Sequence, residues 1–221
     1  MNRRLLISVL FVCLLSFTVR AQQGTFRFAQ LTDIHLSPNN PNPTEDLLRS
    51  IAQINAIDSL DFVLVTGDLT EEGDRATMEK VKSCLDLLKV KYYVALGNHE
   101  TKWSDSGCTA FGEIFGGERF DFEHKGFLFL GFNSGPLMRM AYGHVVPQDI
   151  RWMTERMSRY NTGNPRQNNP VILVTHYPMT EGDVDNWYEV TDAVRRIIYV
   201  YLSAAIITAT VTYAMTAFRA F

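Results

Sequence analysis

Four apolar runs in this chain each stop abruptly at polar residues, and this repeated pattern limits the possible folds more than any other feature. The runs are FRFAQLTDIH (26–35), DFVLVTGD (61–68), YYVALGNHE (92–100) and VILVTH (171–176). Their apolar character suits strands buried on both faces. Helical spacing lies between them. Leu47, Leu48, Ile51, Ile54 and Ile57 follow a helix start expected at Thr44 as N-cap. Met78, Val81, Leu85 and Leu88 mark one face of a helix over 77–90, and Trp152, Met153 and Met157 belong to another starting near Pro147. Strands alternating with helices predict a parallel α/β sheet. FDFEHKGFLFLGFNS (120–134) instead alternates around Lys125-Gly126 and predicts an antiparallel hairpin, so the sheet system is mixed. No repeat or low-complexity linker interrupts the pattern, which reads as one domain.

The endings are Asp33-Ile34-His35, Gly67-Asp68, Gly97-Asn98-His99-Glu100 and His176. Each alone has a bland reading, since Gly-Asn and Gly-Asp are common turn chemistry. Together they fall where open α/β sheets bind ligands, outside the carboxyl ends of the strands. Carboxylate, amide oxygen and imidazole suit divalent Mn, Fe or Zn. A carboxylate can bridge two ions, and a two-metal site clamps the attacking and leaving oxygens of a displacement at phosphorus.

These motifs, in this order, resemble the calcineurin-like metallophosphoesterases, whose pattern is D-x-H, G-D, G-N-H-[DE], a lone H, then G-H-x-H. The resemblance implies a four-layer αββα sandwich with mixed sheets. It also implies hydrolysis of phosphomonoesters or phosphodiesters by water activated between two divalent ions. Asp33 and His35 would hold the first ion, Asp68 would bridge, and Asn98 and His176 would hold the second. His99 would assist the leaving group, and Glu100 would orient it. No tyrosine closely follows Gly67-Asp68, where purple acid phosphatases carry an iron ligand, which points to a colourless site. His124 reads as surface. His144 reads as either loop or cleft lining, and Asn133 as a turn residue or a site neighbour. Asp105, Asp183 and Asp185 read as solvated.

The final G-H-x-H is missing. After NWYEVTDAVRR (186–196), residues 197–218 carry no charge. One reading is a membrane tail, since about 20 apolar residues span a bilayer. It would make the chain a membrane-tethered, non-catalytic binding protein. The other reading is a frameshift between about Arg196 and Ala204. The codons for residues 204–210, read one frame over, can spell Gly-His-Tyr-His at the expected place. The domain expected on that basis runs over 22–196, incomplete at its C-terminal side, with an aberrant apolar tail over 197–221 and impaired activity.

The N-terminus reads as a signal peptide over 1–21: Arg3 and Arg4, an apolar stretch, then Val19-Arg20-Ala21. Its removal would take the formal charge from −3 to −6 by loss of Arg3, Arg4 and Arg20. The expected location is periplasmic or secreted. Cys84 and Cys108 make no disulfide framework. The acidic balance argues against long nucleic acids, which favour basic grooves, and leaves a small phosphate ester or nucleotide as the expected substrate.

Overall fold

The computed structural model describes residues 25–136, 142–161, 170–198 and 204–208. The expected signal peptide and most of the apolar tail lie outside them. Seven strands and five α-helices follow one another among the described residues: β1 (Phe28–Leu31), α1 (Asn42–Asn55), β2 (Phe62–Thr66), α2 (Arg75–Leu85), β3 (Lys91–Ala95), α3 (Thr109–Phe115), β4 (Phe120–His124), β5 (Phe127–Gly131), α4 (Pro147–Asn161), β6 (Val171–Thr175), α5 (Trp187–Ile198) and β7 (Ala204–Thr208). A single π-helical turn, His99–Trp103, follows β3.

Two sheets form. The first, β1-β2-β3, is wholly parallel; the second, β4-β5-β6-β7, is antiparallel only between β4 and β5. The expected hairpin is therefore β4–β5, turning at Lys125-Gly126. Within the apolar tail, β7 pairs with β6 in register, Thr175 opposite Thr208.

The layers follow from period-two alternation along the strands. Phe62 and Leu64 of β2 face the other sheet, where they pack with Phe129, Ile172 and Val174. The alternate residues Val63 and Val65 face the opposite way, into a core with Leu47, Ile51, Met78 and Leu85 of α1 and α2. Leu128, Leu130 and Leu173 likewise pack on the far side of the second sheet against Met153, Met157, Val190 and Val194 of α4 and α5. The order is thus helix, sheet, sheet, helix: the αββα sandwich. Aromatic rings fill the layer between the sheets. Phe122 stacks on Phe129 at 4.6 Å and on Tyr93 at 3.7 Å, and Phe28 lies parallel to Phe62 at 5.5 Å. Each fully buried phenylalanine stabilises the sandwich by about 1.5–3 kcal/mol.

Two helix starts differ from expectation. α1 begins at Asn42 with Pro41 at its N-cap, and the Thr44 amide bonds the Pro41 carbonyl. Proline in the first turn presets the helical φ, so the helix starts ahead of Thr44. α2 begins at Arg75, because the Asp74 carboxylate caps the Thr77 amide at 2.9 Å. It ends at Leu85, short of the expected Val90. No helix among the described residues is long and apolar enough to cross a membrane.

Candidate metal centre

Strand register brings the polar endings to one rim. Thr66 at the end of β2 sits opposite Ala95 at the end of β3, and β1 runs parallel beside them. Beyond the strands the chain stays paired: the Asp33 amide bonds Gly67 O, the His35 amide bonds Asp68 O, and the Leu36 amide bonds Leu69 O, at 2.9–3.1 Å. Asp33, His35 and Asp68 hold left-handed φ values of 53°, 48° and 51°. Half of the positive-φ non-glycine residues described here are thus expected ligands. Strain of that kind persists only where surrounding structure imposes it, and it gathers at functional sites.

Two glycines let these loops close. A Cβ on Gly97 would collide with the Asp68 carboxylate and amide. Gly67, at φ 96°, would place a Cβ 2.7 Å from Gly97 Cα and 2.8 Å from His176 Nδ1. Only glycine permits this approach, which sets Asp68 against the Asn98 and His176 segments.

Asp68 Oδ2 is the centre of the site. His176 Nε2 lies 3.4 Å from it, His35 Nε2 3.7 Å and His99 Nε2 3.9 Å. His35 Nε2 is also 3.8 Å from Asp33 Oδ1. These separations exceed hydrogen-bond length. Those of His176 and His35 match atoms that share an ion at about 2.0–2.2 Å from each, which stand roughly 3–4 Å apart. Asp33, His35 and Asp68 all offer ligand atoms within 4.8 Å of one another.

The second half of the site passes a chemical test for a cation. His176 Nδ1 lies 2.8 Å from the Thr66 carbonyl, which only accepts, so Nδ1 carries the proton. In the neutral ring Nε2 is then a bare lone pair. It faces Asp68 Oδ2 and, at 3.1 Å, Asn98 Oδ1. Lone pairs of nitrogen and two oxygens converge, and a positive charge is what reconciles them. The residues present fit a divalent ion.

The electrostatics agree. With no ion present, burial pushes the Asp68 carboxyl up, but the neighbouring His176, when protonated, and the His99 amide take it below its ordinary value. Burial also pushes Asp33 up and is outweighed by His35, Thr32 and the His176 charge. His35 is raised, first by the Asp33 carboxylate opposite. With no ion present, burial lowers the His176 imidazole, and the Asp68 carboxylate facing it more than restores it. Both carboxylates are ionised at neutral pH, as a cation site requires.

Glu100, expected to orient His99, bonds the backbone on either side of it instead of the imidazole. The side chain is fully buried, and Oε1 accepts from the Leu69 and Thr70 amides while Oε2 accepts from the Gly97 amide, at 3.0–3.1 Å. It fastens the loop after β2 to the loop after β3, out of reach of any substrate, and is a positioning residue. The reason is the π-helical turn, which carries Glu100 inward while His99 remains at the rim.

The structure adds Glu71, which belongs to none of the motifs. Its carbonyl lies 2.6 Å from His99 Nδ1. Its carboxylate lies 3.0 Å from His35 Nδ1, a close contact without hydrogen-bond alignment. The usable signal was position, three residues after Asp68 on the same loop. Elsewhere, His124 pairs with Asp61 at 2.9 Å, away from the rim. Asn133 Oδ1 accepts the Gly135 amide at 2.9 Å, as a turn residue does. Cys84 and Cys108 are free and buried.

Two sheets between helices, with carboxylates, an amide and imidazoles meeting beyond parallel strands, define a metal-binding α/β sandwich. A family model of the calcineurin-like phosphoesterases matches residues 26–208, and the chain belongs to that family. This is a family of phosphoester hydrolases for which divalent metals are implied. Over 157 residues the chain is 25% identical to a 3',5'-cyclic-nucleotide phosphodiesterase of Nostoc sp., covering 68% of this chain and 56% of the relative. It is also 25% identical over 118 residues to the uncharacterized protein YvnB of Bacillus subtilis, covering 46% of this chain and 9% of that one. The chain thus spans little more than half of the first relative and a small part of the second. Among solved structures, a purple acid phosphatase from yellow lupin seeds superposes with a TM-score of 0.45 at 14% identity, over 72% of this chain and 32% of that one.

Proposed function

We propose that this chain is an exported, two-metal phosphoesterase acting on small phosphate esters, with cyclic nucleotides in its candidate class. The Nostoc relative's activity supports that class. Asp33 and His35 would hold one ion, Asp68 would bridge, and Asn98 and His176 would hold the other. Bound there, two divalent ions would polarise the phosphate and lower the pKa of water. His99, its Nδ1 held by the Glu71 carbonyl, would face the leaving oxygen with Nε2 and assist its departure. Glu100 and the Gly67–Gly97 contact hold these groups in place. The observation that carries the reading is the convergence of three imidazole Nε2 atoms, at 3.4–3.9 Å, on one oxygen of Asp68.

The motif G-H-x-H would supply further ligands and does not occur in this sequence. Turnover by this chain is therefore expected to be weak. The test is manganese retention by the purified chain after gel filtration, beside hydrolysis of bis(p-nitrophenyl) phosphate. Retention that depends on Asp68 supports the reading. Equal retention by Asp68→Ala would refute it.

A further inference from the structure

A cavity of 630 Å³ is lined among others by Glu118, Arg119, Asn133, His144, Gln148 and Asp149, and its His144 wall is linked through neighbouring loops to the metal centre. Its volume falls in the range of sites that enclose small organic ligands. Three contacts tie its His144 wall to the centre. The His144 amide bonds Gly135 O at 3.3 Å, and a Cβ on Gly135 would lie 3.2 Å from the carbonyl of Gly97, the residue before Asn98. Gly143 packs directly on the Tyr177 ring, which stacks 5.4 Å from His176.

His144 itself is held with unusual completeness for a loop residue. Its Nδ1 lies 2.7 Å from Asp185 Oδ1. On either side, the Gly143 amide bonds Asp183 O at 2.8 Å and the Asp185 amide bonds Gly143 O at 2.9 Å. Asn186 exchanges two bonds with the Val145 backbone, at 3.0 and 2.8 Å. Asp185, which reads as solvated in the sequence, thus orients an imidazole. Nε2 makes no hydrogen bond among the described residues. With Nδ1 held by Asp185, Nε2 is free to meet a ligand in the cavity that His144 lines.

The charges indicate what that is. Arg119 is paired with the buried Asp149, which leaves Glu118 uncompensated among these six residues except for its contact with the neutral Asn133 amide. Such a wall repels a second phosphate. It offers amide, carboxylate and imidazole groups to a neutral partner rich in hydroxyls or ring nitrogens.

We propose that this cavity binds the uncharged organic part of the phosphoester, a nucleoside-sized group, and that His144, oriented by Asp185, is the residue that contacts it. The inference rests on the proposed function and names the substrate class of that site.

The probe is adenosine, titrated into the full chain labelled with ¹³C in the histidine rings and followed by NMR, with His144→Gln assigning the resonance. Adenosine should shift the His144 signal saturably. His144→Gln should weaken binding about tenfold, the loss of one hydrogen bond, and Asp185→Asn should weaken it in the same direction. Adenosine triphosphate without metal should bind less well than adenosine. An unmoved His144 signal at millimolar adenosine, equal affinity in His144→Gln, or tighter triphosphate binding would each overturn the inference. In parallel, Asp68→Ala should lose manganese and keep adenosine. Manganese retained by that variant would overturn the functional reading and leave the cavity's ligand standing.

Discussion

Removing the Glu100 side chain should loosen the metal centre without touching a ligand. The carboxylate is fully buried and accepts three backbone amides, from Leu69, Thr70 and Gly97. It also accepts the Thr70 hydroxyl at 3.3 Å, but that hydroxyl keeps the Gly73 amide as a partner. Glu100→Ala therefore orphans three buried amides, each costing about 1–3 kcal/mol. Part of that is regained. Burial and the Asp68 charge push the Glu100 carboxyl up, so the native state already bears a desolvation cost that alanine removes. The net loss should be about 3 kcal/mol, or roughly 6–12 °C in Tm for a domain of this size. Two of the three amides flank Asp68 and Asn98, so manganese affinity should fall by about 10–100-fold, as with other groups that orient metal ligands. Glu100→Gln keeps one acceptor oxygen and turns a donor towards an amide, and should fall between the two. Thermal unfolding of the metal-free chain, beside manganese titration, separates the effects. A Tm within 1 °C of the parent, with unchanged affinity, would show that the clamp positions nothing.

Gly97→Ala should displace Asp68, because the new Cβ meets its carboxylate and amide. Overpacking of this kind costs about 1–3 kcal/mol, and manganese retention measured by elemental analysis should drop with it; retention equal to the parent's would contradict the close approach. The Asp61 carboxyl is held down to about 2 by Lys125, by the Arg27 amide and by His124. A depressed carboxyl contributes stability above its unfolded value and loses it as pH falls through the folded one. Asp61→Asn should thus flatten the loss of stability between about pH 4 and 2; parallel urea-midpoint curves for the two proteins would refute the assignment. Sequencing the DNA across codons 190–221 should show Gly-His-Tyr-His in the shifted frame, and a shifted frame that closes or spells otherwise would return the tail to the membrane-anchor reading.

The sequence by itself determined the strands, their alternation with helices and the ends at which chemistry gathers. These are local properties: an apolar run that stops at Asp33, Asp68, Asn98 or His176 reports burial and termination within about ten residues. The family resemblance was legible for the same reason, since each motif is a short segment bound to a strand end. What each side chain does once the ends meet was decided by the tertiary structure. Glu100 reads as the residue that orients His99, and the structure shows the route: the π-helical turn carries its carboxylate to amides about 30 residues away in sequence. Glu71 stands in no motif, yet its carbonyl meets His99 Nδ1 and its carboxylate lies against His35. Asp185 reads as solvated and is exposed, and it also pairs with His144 from 41 residues away. Hydrogen bonds and ion pairs act over a few ångströms of space, and only the packing of two sheets face to face brings such residues within that range.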